Sequence, residues 1–464
     1  SKVFKEDQVA TLHLTAPAAQ VNVMNQSPTI ETTVRVAFRY INAGMIYSQN
    51  NITLKTAGKS SKEFAKQSFK ISFDTDYNQT FFSRPNIKLR AHPTEPTMMR
   101  ERLYIDMLNS VGVPTQQGSY VRLFINNEPY GLFLMVDDIK RSFLKQTVYG
   151  GDNAVIPGSL IQGNAPTRTE QADLVYKGPL GASYNADCYI SQNLGNNPLT
   201  EPLTQLIAFM LDLQNFTPGS NNVEFWTARL DLDGFLRNMA LEYLMGGFDN
   251  YWIGGSNYFI YFNPKLGTPG KWQWIPTDFD GTFGNGMDID PRGSYKNISA
   301  FNPDHPLVSK LIIKSPDINA LFVEILKNVV STAFKPEAMN PHIDSIHTMI
   351  SPEVQWDFSL TRHSPGNDNK FTMDDFNGNL VNITKDMSGA IKPWIEGRAS
   401  SISAELGFTV PAGTVDRVAP PPRGGEDDNT PGGAGPGGKN GAGSLAATGM
   451  AAMVALASAL MLLA

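Results

Sequence analysis

The sequence contains a single cysteine, Cys188, among its 464 residues. Within one chain, a lone thiol excludes a disulfide framework and a zinc site built from cysteines. The six histidines do not provide an alternative zinc site of the metalloprotease type, because no His-Glu-x-x-His motif is present. The fold must therefore be stabilised by its apolar core, and its chemistry must come from other side chains.

The chain also lacks an excess of positive charge. It has 38 Lys and Arg against 44 Asp and Glu, and its formal net charge is −6. General nucleic-acid binding needs a cationic surface that displaces counterions, and the basic residues here are scattered. A general nucleic-acid binder and a polybasic membrane patch are both excluded.

The two ends of the sequence predict passage through a secretory pathway. The chain begins with Ser1 and has no apolar leader, so we expect either that a signal peptide has been removed or that the sequence starts after it. Residues 409–444 are rich in Gly and Pro and are predicted to be a disordered linker, and residues 445–464 are an uncharged apolar run. Small residues that begin at Asn440, followed by this apolar run, are typical of a glycosylphosphatidylinositol attachment signal. A transmembrane helix is the alternative. Six Asn-x-Ser/Thr glycosylation motifs agree with this route: Asn25, Asn51, Asn78, Asn215, Asn297 and Asn382.

Between the ends, hydrophobic periodicity predicts a strand-rich front and a helix-rich back. After an N-terminal segment, 1–29, residues 30–149 alternate as strands do and are interrupted by one helix at about 97–110. Helical spacing dominates from 201 to 408. Residues 150–200 lack clear periodicity and are predicted to be an irregular insertion. The sequence thus predicts an α+β fold with a strand-rich N-terminal lobe, a helix-rich C-terminal lobe and an interlobe cleft.

Polar residues follow three predicted elements near the middle of the chain. A helical run ends at Gly246, whose missing Cβ permits the left-handed turn that closes helices, and Asp249 follows it. Two predicted strands are joined by a Gly- and Pro-rich turn, and pairing about its middle places position 257 opposite Thr277. We therefore expect Asn257 and Asp278 to leave the same end of one hairpin, close to Asp249.

These residue types suit phosphoryl transfer. A carboxylate such as Asp249 can orient an attacking hydroxyl group. The amide of Asn257 and the carboxylates of Asp278 and Asp280 can hold Mg²⁺ through oxygen ligands. The alternative is that these residues only favour turns, as Asp and Asn commonly do.

A second candidate site lies in the strand-rich front. Gly58, Ser60 and Ser61 belong to a short flexible loop whose amides can cover phosphate oxygens, and Lys66 and Lys70 follow it. The alternation of the strand points Lys70 away from the apolar face, but the period alone does not decide which lysine reaches the cleft. A solvated basic edge strand is the alternative.

Arg100, in the first turn of the predicted helix, is a further candidate. Its guanidinium group has a planar fork of donors that matches phosphate and carboxylate oxygens. We predict a phosphate or ion-pair clamp at this position, with an ordinary surface arginine as the alternative.

The succession of motifs resembles the CotH family, first known as spore-coat proteins. The resemblance runs from about residue 30 to 408. It rests on Asp249 and on residues 58–61, 66–71, 88–90, 100–112, 130–138, 257–258 and 276–284. The predicted lipid-anchor tail is similar to that of the surface CotH proteins of mucoralean fungi.

The resemblance implies an atypical protein-kinase fold that binds ATP and a divalent metal, Mg²⁺ or Mn²⁺. By this resemblance Asp249 is the catalytic carboxylate, Asn257 and Asp278 are metal ligands, and Lys66 or Lys70 is the phosphate-binding lysine. The hinge beside adenine would comprise Met135, Val136, Asp137 and Asp138. The chain departs from the family pattern at Thr277, where a Trp is usual. The spacing between Asp249 and Asn257 is also longer than the corresponding spacing in ordinary protein kinases.

Two functional classes remain open, and they are compatible. The resemblance implies phosphorylation of protein Ser or Thr hydroxyls, as in the bacterial members. It also implies adhesion to host cells, as in the fungal surface members, and residues 150–200 would then face a receptor on another cell. In both cases we expect a secreted, cell-surface protein that meets the membrane only through its lipid anchor.

Overall fold

The computed structural model describes residues 3–152, 154–195, 203–219, 221–247, 249–286, 290–298 and 305–413. The predictions for the linker beyond residue 413, for the terminal apolar run and for Asn440 therefore lie outside the described residues. Within the described part, no helix combines the length and the apolar character needed to cross a membrane.

Seven strands of the N-terminal part close into a barrel, within which a first apolar core lies. They are β1 Ala10–Thr15, β2 Thr33–Asn42, β3 Met45–Ala57, β4 Ser68–Ser72, β5 Asn86–Arg90, β6 Gly118–Ile125 and β7 Glu128–Asp137. Their order around the barrel is β1-β2-β3-β4-β5-β7-β6, and parallel pairing of β1 with β6 closes it. Because side chains alternate between the two faces of each strand, Ile71, Leu89 and Phe133 point inward with the other members of this core.

Two helices accompany the barrel, α1 Ala18–Gln26 and α2 Arg100–Ser110. The helix predicted at about 97–110 is thus confirmed from residue 100 onward. On the outer face of β6 and β7, Tyr120 and Leu134 join a second core, to which α2 contributes Leu103. This core extends into the C-terminal part of the chain, so the barrel and the helices share buried surface.

The C-terminal part combines helices with a second sheet. Its strands are β8 Ser159–Gly163, β9 Tyr189–Leu194, β10 Tyr258–Asn263 and β11 Lys271–Pro276, in the order β11-β10-β8-β9. The helices are α3 Arg141–Phe143, α4 Thr204–Asn215, α5 Asn222–Thr227, α6 Leu232–Met245, α7 Tyr251–Gly254, α8 Tyr295–Ile298, α9 Pro316–Thr332, α10 Pro336–Ser359, α11 Met373–Gly378 and α12 Ile391–Leu406. The α+β content predicted from the sequence is confirmed.

The segment from 150 to 200 differs from the irregular insertion predicted. Its described part contributes β8 and β9, and β8 pairs antiparallel with β10. Ala172, Leu174 and Tyr189 are buried in the core that contains the apolar face of α6. Sequence reasoning missed these strands because they are short and their partner lies far along the chain, which leaves no local period to detect.

Candidate active site

The hairpin of β10 and β11 positions two of the predicted site residues. Tyr258 pairs with Pro276, and the Thr277 N–H donates to the Asn257 carbonyl at 3.0 Å. The predicted register, with position 257 opposite Thr277, is therefore confirmed. Asn257 and Asp278 both have positive φ, 57° and 61°, a conformation that Asn and Asp tolerate better than most residues. Both leave the same end of the hairpin.

Helix α6 and the turn after it bring Asp249 to that end. The helix ends at Gly246, which has φ 67° and donates its N–H to the Glu242 carbonyl, as the sequence predicted. Asn257 Nδ2 donates to Asp249 Oδ2 at 2.8 Å. Desolvation by the surrounding protein, followed by the negative charge of Asp278, raises the pKa of Asp249 to about 6. The side chain still has access to solvent, so it combines a raised pKa with room for a reacting group.

Asn250 links these three segments and was not among the predicted site residues. Its side chain is buried, and Nδ2 donates to the Thr277 carbonyl at 2.9 Å and to the Asn257 carbonyl at 3.3 Å. The residue that follows Asp249 thus binds both strand ends of the hairpin. These bonds fix the distance between the Asp249 turn and the hairpin.

Arg90, at the end of β5, is the cation of the site and was not among the predicted site residues. Its guanidinium group bonds Asp278 and lies 3.3 Å from Asp280 Oδ1. Its Nε donates to Glu101 Oε2 at 2.9 Å. One guanidinium group therefore faces three carboxylates. The available signal was the alternation of residues 88–90, which points Arg90 away from the barrel core, as it does Lys88.

Glu101, on α2, is the buried member of this network. Its Oε2 lies 2.7 Å from His92 Nε2, and its Oε1 accepts from Gln116 Nε2 at 2.8 Å. Burial opposes the charge of Glu101, but Arg90 and His92 prevail and hold its pKa below the usual range. Thr277 Oγ1 donates to Gln116 Oε1 at 2.9 Å, so the network continues to the residue before Asp278.

Asp278 and Asp280 carry more negative charge than Arg90 can compensate. Burial raises the pKa of Asp280, and the charge of Asp278 adds to this effect against the opposing influence of Arg90. With Asn257 and Asp249 they form an all-oxygen donor set, the kind that Mg²⁺ and Mn²⁺ prefer, and the excess charge favours a cation. In donor chemistry these residues fit a divalent ion. In the described ranges, however, no three His, Cys, Asp or Glu side chains are grouped closely enough to hold one.

The two candidate lysines lie in different surroundings. Lys70 Nζ bonds Asp138 Oδ2 at 2.6 Å, and Lys88 Nζ lies 3.1 Å from Oδ1 of the same carboxylate. Burial opposes the charge of Asp138, but these lysines lower its pKa to about 2. Lys66 Nζ instead bonds Oδ2 of Asp357, a residue of α10, at 2.6 Å. The structure thus separates Lys66 from Lys70 and pairs Lys70 with a predicted hinge residue.

The predicted hinge residues lie on β7 and just after it. Met135 belongs to the barrel core, whereas Val136 belongs to the second core. The carboxylate of Asp137 accepts from Arg84 Nε at 2.6 Å, and that of Asp138 is bound by lysines. Because these side chains are engaged by protein partners, contacts to an adenine would have to come from the backbone of this segment.

The predicted phosphate loop ends in a single 3-10 turn, Ser60–Glu63. Gly58 has φ 95°, and a Cβ there would lie only 1.8 Å from Ser61 Oγ, so glycine is required at this position. Gly58 and Ser60 are exposed, and Ser61 is half-buried. The loop is therefore accessible to a ligand.

Of the two roles predicted for Arg100, the structure contains an ion pair, with Glu95, but not the exposed position that a phosphate clamp needs. Its side chain is fully buried, Nε donates to the Thr282 carbonyl at 3.0 Å, and Nη1 bonds Glu95 at 3.0 Å. Nη2 donates to Asn379 Oδ1 at 2.6 Å. These contacts fasten α2 to the loop after Asp280 and to the chain after α11. The next residue of the helix, Glu101, is the one that faces the site.

The predicted glycosylation positions differ in exposure. Asn25 is buried, and its Nδ2 donates to Tyr130 Oη at 2.7 Å, so the folded chain does not present it for modification. The other five asparagines are exposed: Asn51, Asn78, Asn215, Asn297 and Asn382.

Comparisons with known proteins agree with the motif pattern. Invasin CotH2 of Rhizopus delemar is 26% identical over 447 residues, which cover 93% of this chain and 72% of the relative. Invasin CotH3 of the same organism is 28% identical and covers 88% of this chain and 68% of the relative. Inner spore coat protein H of Bacillus subtilis is 22% identical and covers 66% of this chain and 78% of the relative.

A solved structure, that of the Helicobacter pylori proinflammatory kinase CtkA, matches 62% of this chain and 90% of its own, with 11% identity and a TM-score of 0.25. A family model described as CotH kinase protein matches residues 54–400. These residues include every member of the Arg90 network as well as Asp249 and Asn257. The chain therefore belongs to the CotH kinase family.

Proposed function

We propose that this protein is an atypical protein kinase that transfers the γ-phosphoryl group of ATP to Ser or Thr hydroxyls, using Mg²⁺ or Mn²⁺. The observation that carries the proposal is the hydrogen bond that holds Asp249 to Asn257 beside Asp278 and Asp280. Family membership supports the same reaction class.

In this proposal Asp249 accepts or orients the proton of the attacking hydroxyl group. A general base works best when its pKa lies near the working pH, and the pKa of Asp249 is raised in that direction. The Asn257 amide donates to one carboxylate oxygen and leaves the other to meet the hydroxyl. Asn250 keeps this pair aligned with the hairpin.

Asp278, Asp280 and Asn257 would hold the divalent ion, which when bound neutralises and orients the phosphate oxygens. Arg90 places a fixed cation beside these carboxylates, and its pairing with Glu101 fixes the guanidinium plane. Lys70 and Lys88 both bond Asp138, one of the predicted hinge residues. In this proposal they supply positive charge for the phosphate groups near the hinge. The loop of Gly58, Ser60 and Ser61 would cover phosphate oxygens with its amides.

The test compares wild type with Asp249→Asn and Asp278→Asn in transfer of labelled phosphate from ATP with Mn²⁺, either to the protein itself or to a Ser-rich peptide. Asp233→Asn is a matched control, because Asp233 is 62% exposed on α6 and pairs with Arg237 at the surface. We expect both site variants to lose at least about 100-fold in transfer while they remain folded, as cooperative urea unfolding would show. Asp249→Asn should keep nucleotide binding. Transfer by Asp249→Asn at the wild-type rate would refute the proposal.

A second function, adhesion to another cell, is favoured by the relatives that are named invasins. We propose that residues 150–200 contact the receptor and that a glycosylphosphatidylinositol anchor at Asn440 displays the chain. Deleting this segment would remove β8 and β9, so point substitutions are the better test. Ile156 and Leu180 are 52% and 67% exposed. The double variant Ile156→Asp and Leu180→Asp should abolish cell binding and leave nucleotide binding intact. Unchanged cell binding would show that the receptor contacts another surface of the protein.

A further inference from the structure

A cavity of about 310 Å³ lies beside the candidate active site. One wall comes from the barrel side and carries Lys66, His92 and Met98. The other wall is formed by the end of α10 and by residues 360–372, which connect α10 to α11 and are called the strap from here on. His92 belongs both to this wall and to the Glu101 contact, so the cavity and the Arg90 network share one side chain.

The strap is fastened to the barrel side by backbone and amide contacts. Asn367 N donates to the Glu63 carbonyl at 2.8 Å, just after the predicted phosphate loop. Asn369 Nδ2 donates to the Pro93 carbonyl at 2.9 Å, next to His92. The cavity therefore lies between two parts of the chain that these contacts hold together.

Two buried cations of the cavity share a single carboxylate. Asp357 Oδ2 lies 2.6 Å from Lys66 Nζ, and Oδ1 accepts from Arg362 Nη2 at 2.8 Å. The side chains of Lys66 and Arg362 are only 7% and 14% exposed, and Asp357 is fully buried. Arg362 Nη1 is also buried and meets no acceptor in the described part of the chain.

This arrangement leaves the cavity with one more buried positive charge than negative, because the second acceptor of Lys66 Nζ is a neutral group, the Leu132 carbonyl at 2.7 Å. Lys370 and Asp368 add one charge of each sign at the exposed rim, so they do not change the balance. A buried excess of positive charge and an unused guanidinium nitrogen are costly unless an acceptor binds there. Arginine donors match the oxygens of phosphate-class anions particularly well.

We propose that this cavity binds an oxyanion of the phosphate class, held by Arg362 and Lys66 beneath the strap. Its volume lies at the lower end of the range for small-molecule sites, which suits a phosphomonoester. The anion would come either from free phosphate or from a phosphorylated side chain. The binding step does not depend on the proposed transfer reaction, and it can be measured in a variant that lacks Asp249.

Isothermal titration of inorganic phosphate into the full chain tests this site, with chelator present so that no metal binds the anion. We expect saturable binding that Arg362→Gln weakens at least 10-fold and Arg362→Lys weakens less, because the lysine keeps the charge but loses the fork. Arg35→Gln is the matched control, since Arg35 is 55% exposed, and it should bind as wild type does. Asp249→Asn should also bind as wild type does, whether or not the enzyme proposal holds.

If Arg362→Gln does not fold, Lys370→Glu gives the same test from the exposed rim. It reverses a charge there without touching the buried pair, and we expect phosphate binding to weaken several-fold. A phosphoserine peptide that binds more tightly than inorganic phosphate identifies a protein source, whereas binding of inorganic phosphate alone identifies the free anion. The proposal is overturned if wild type shows no saturable binding, if neither variant changes it, or if ATP without metal competes for it, since competition would make the cavity part of the nucleotide site.

Discussion

Arg90 and Arg100, one at the end of β5 and the other at the start of α2, belong to two different ion networks. Arg100 is fully buried, and its nitrogens meet one carboxylate, Glu95, together with neutral oxygens. Arg90 is 19% exposed and faces the carboxylates of Glu101, Asp278 and Asp280. The first network balances its charges, and the second has more negative charge than its cation can compensate.

The difference separates a structural contact from a reactive site. In a closed network such as that of Arg100, every strong donor already has an acceptor, so a bound ligand would add no stability. In an open network such as that of Arg90, the excess negative charge destabilises the folded protein, and binding of a cation relieves this repulsion. The two networks should therefore respond in opposite directions when one charged group is removed.

The largest effect is expected in the closed network. Arg100→Met should lower the free energy of unfolding by about 3–5 kcal/mol, because it leaves Glu95 buried without its cation. Urea unfolding monitored by fluorescence and circular dichroism measures this loss. Lys327→Met is the control, since Lys327 forms an exposed pair with Glu324, and it should change stability by less than about 1 kcal/mol. Equal effects of the two substitutions would contradict the structural role of Arg100.

Glu242 is a buried carboxyl group that has no cationic partner among the described residues, in contrast to Glu95 and Glu101. Its oxygens accept from the Trp252 N–H and from Asn238 Nδ2, both at 2.9 Å. Burial raises the pKa of Glu242 to about 8, above the usual 4.5, so the folded chain keeps a proton that the unfolded chain releases. Stability therefore falls as the pH rises from about 4.5 to about 8, at about 1.4 kcal/mol per pH unit.

Glu242→Gln should remove this pH dependence, because the amide imitates the protonated acid. Turning the Asn238 amide over lets its Oδ1, which has no partner in the part of the chain described here, accept from the new Gln N–H. The stability of the variant relative to wild type should rise by roughly 3 kcal/mol between pH 5 and pH 8. Urea unfolding at several pH values measures the difference. Parallel stability curves for the two proteins would show that Glu242 ionises normally in the folded state.

Local sequence signals predicted some of this site correctly. The turn between β10 and β11 and the strand residues beside it were enough to place position 257 opposite Thr277. Gly246 was enough to end α6, because few other residues adopt its positive φ. Both features depend on neighbours in the chain, so their patterns are visible without a structure.

The rest of the site depends on contacts between distant segments. Arg90 meets Asp278 only because β5 and the hairpin pack together, and nothing near either residue reports that contact. Lys66 and Lys70 share a local pattern, but α10 supplies the Asp357 that separates them. The sequence analysis selected Arg100, but its neighbour Glu101 is the residue of α2 that bonds Arg90. Helical spacing alone does not tell which face of α2 meets the barrel.

Of these substitutions, Asp280→Asn should change the free energy of unfolding least. It should raise this free energy, whereas Arg100→Met lowers it. In protein freed of metal by a chelator, Asp280→Asn removes the negative charge of one of three carboxylates around Arg90 and weakens a 3.3 Å contact with the guanidinium group. We expect the free energy of unfolding to rise by about 1 kcal/mol, as occurs when a crowded active-site charge is neutralised. Adding Mn²⁺ should then stabilise wild type more than the variant, because the variant has lost a ligand oxygen with full charge. If Asp280→Asn instead destabilises the metal-free protein, the Arg90 network has no excess charge to relieve, and the contrast with Arg100 fails.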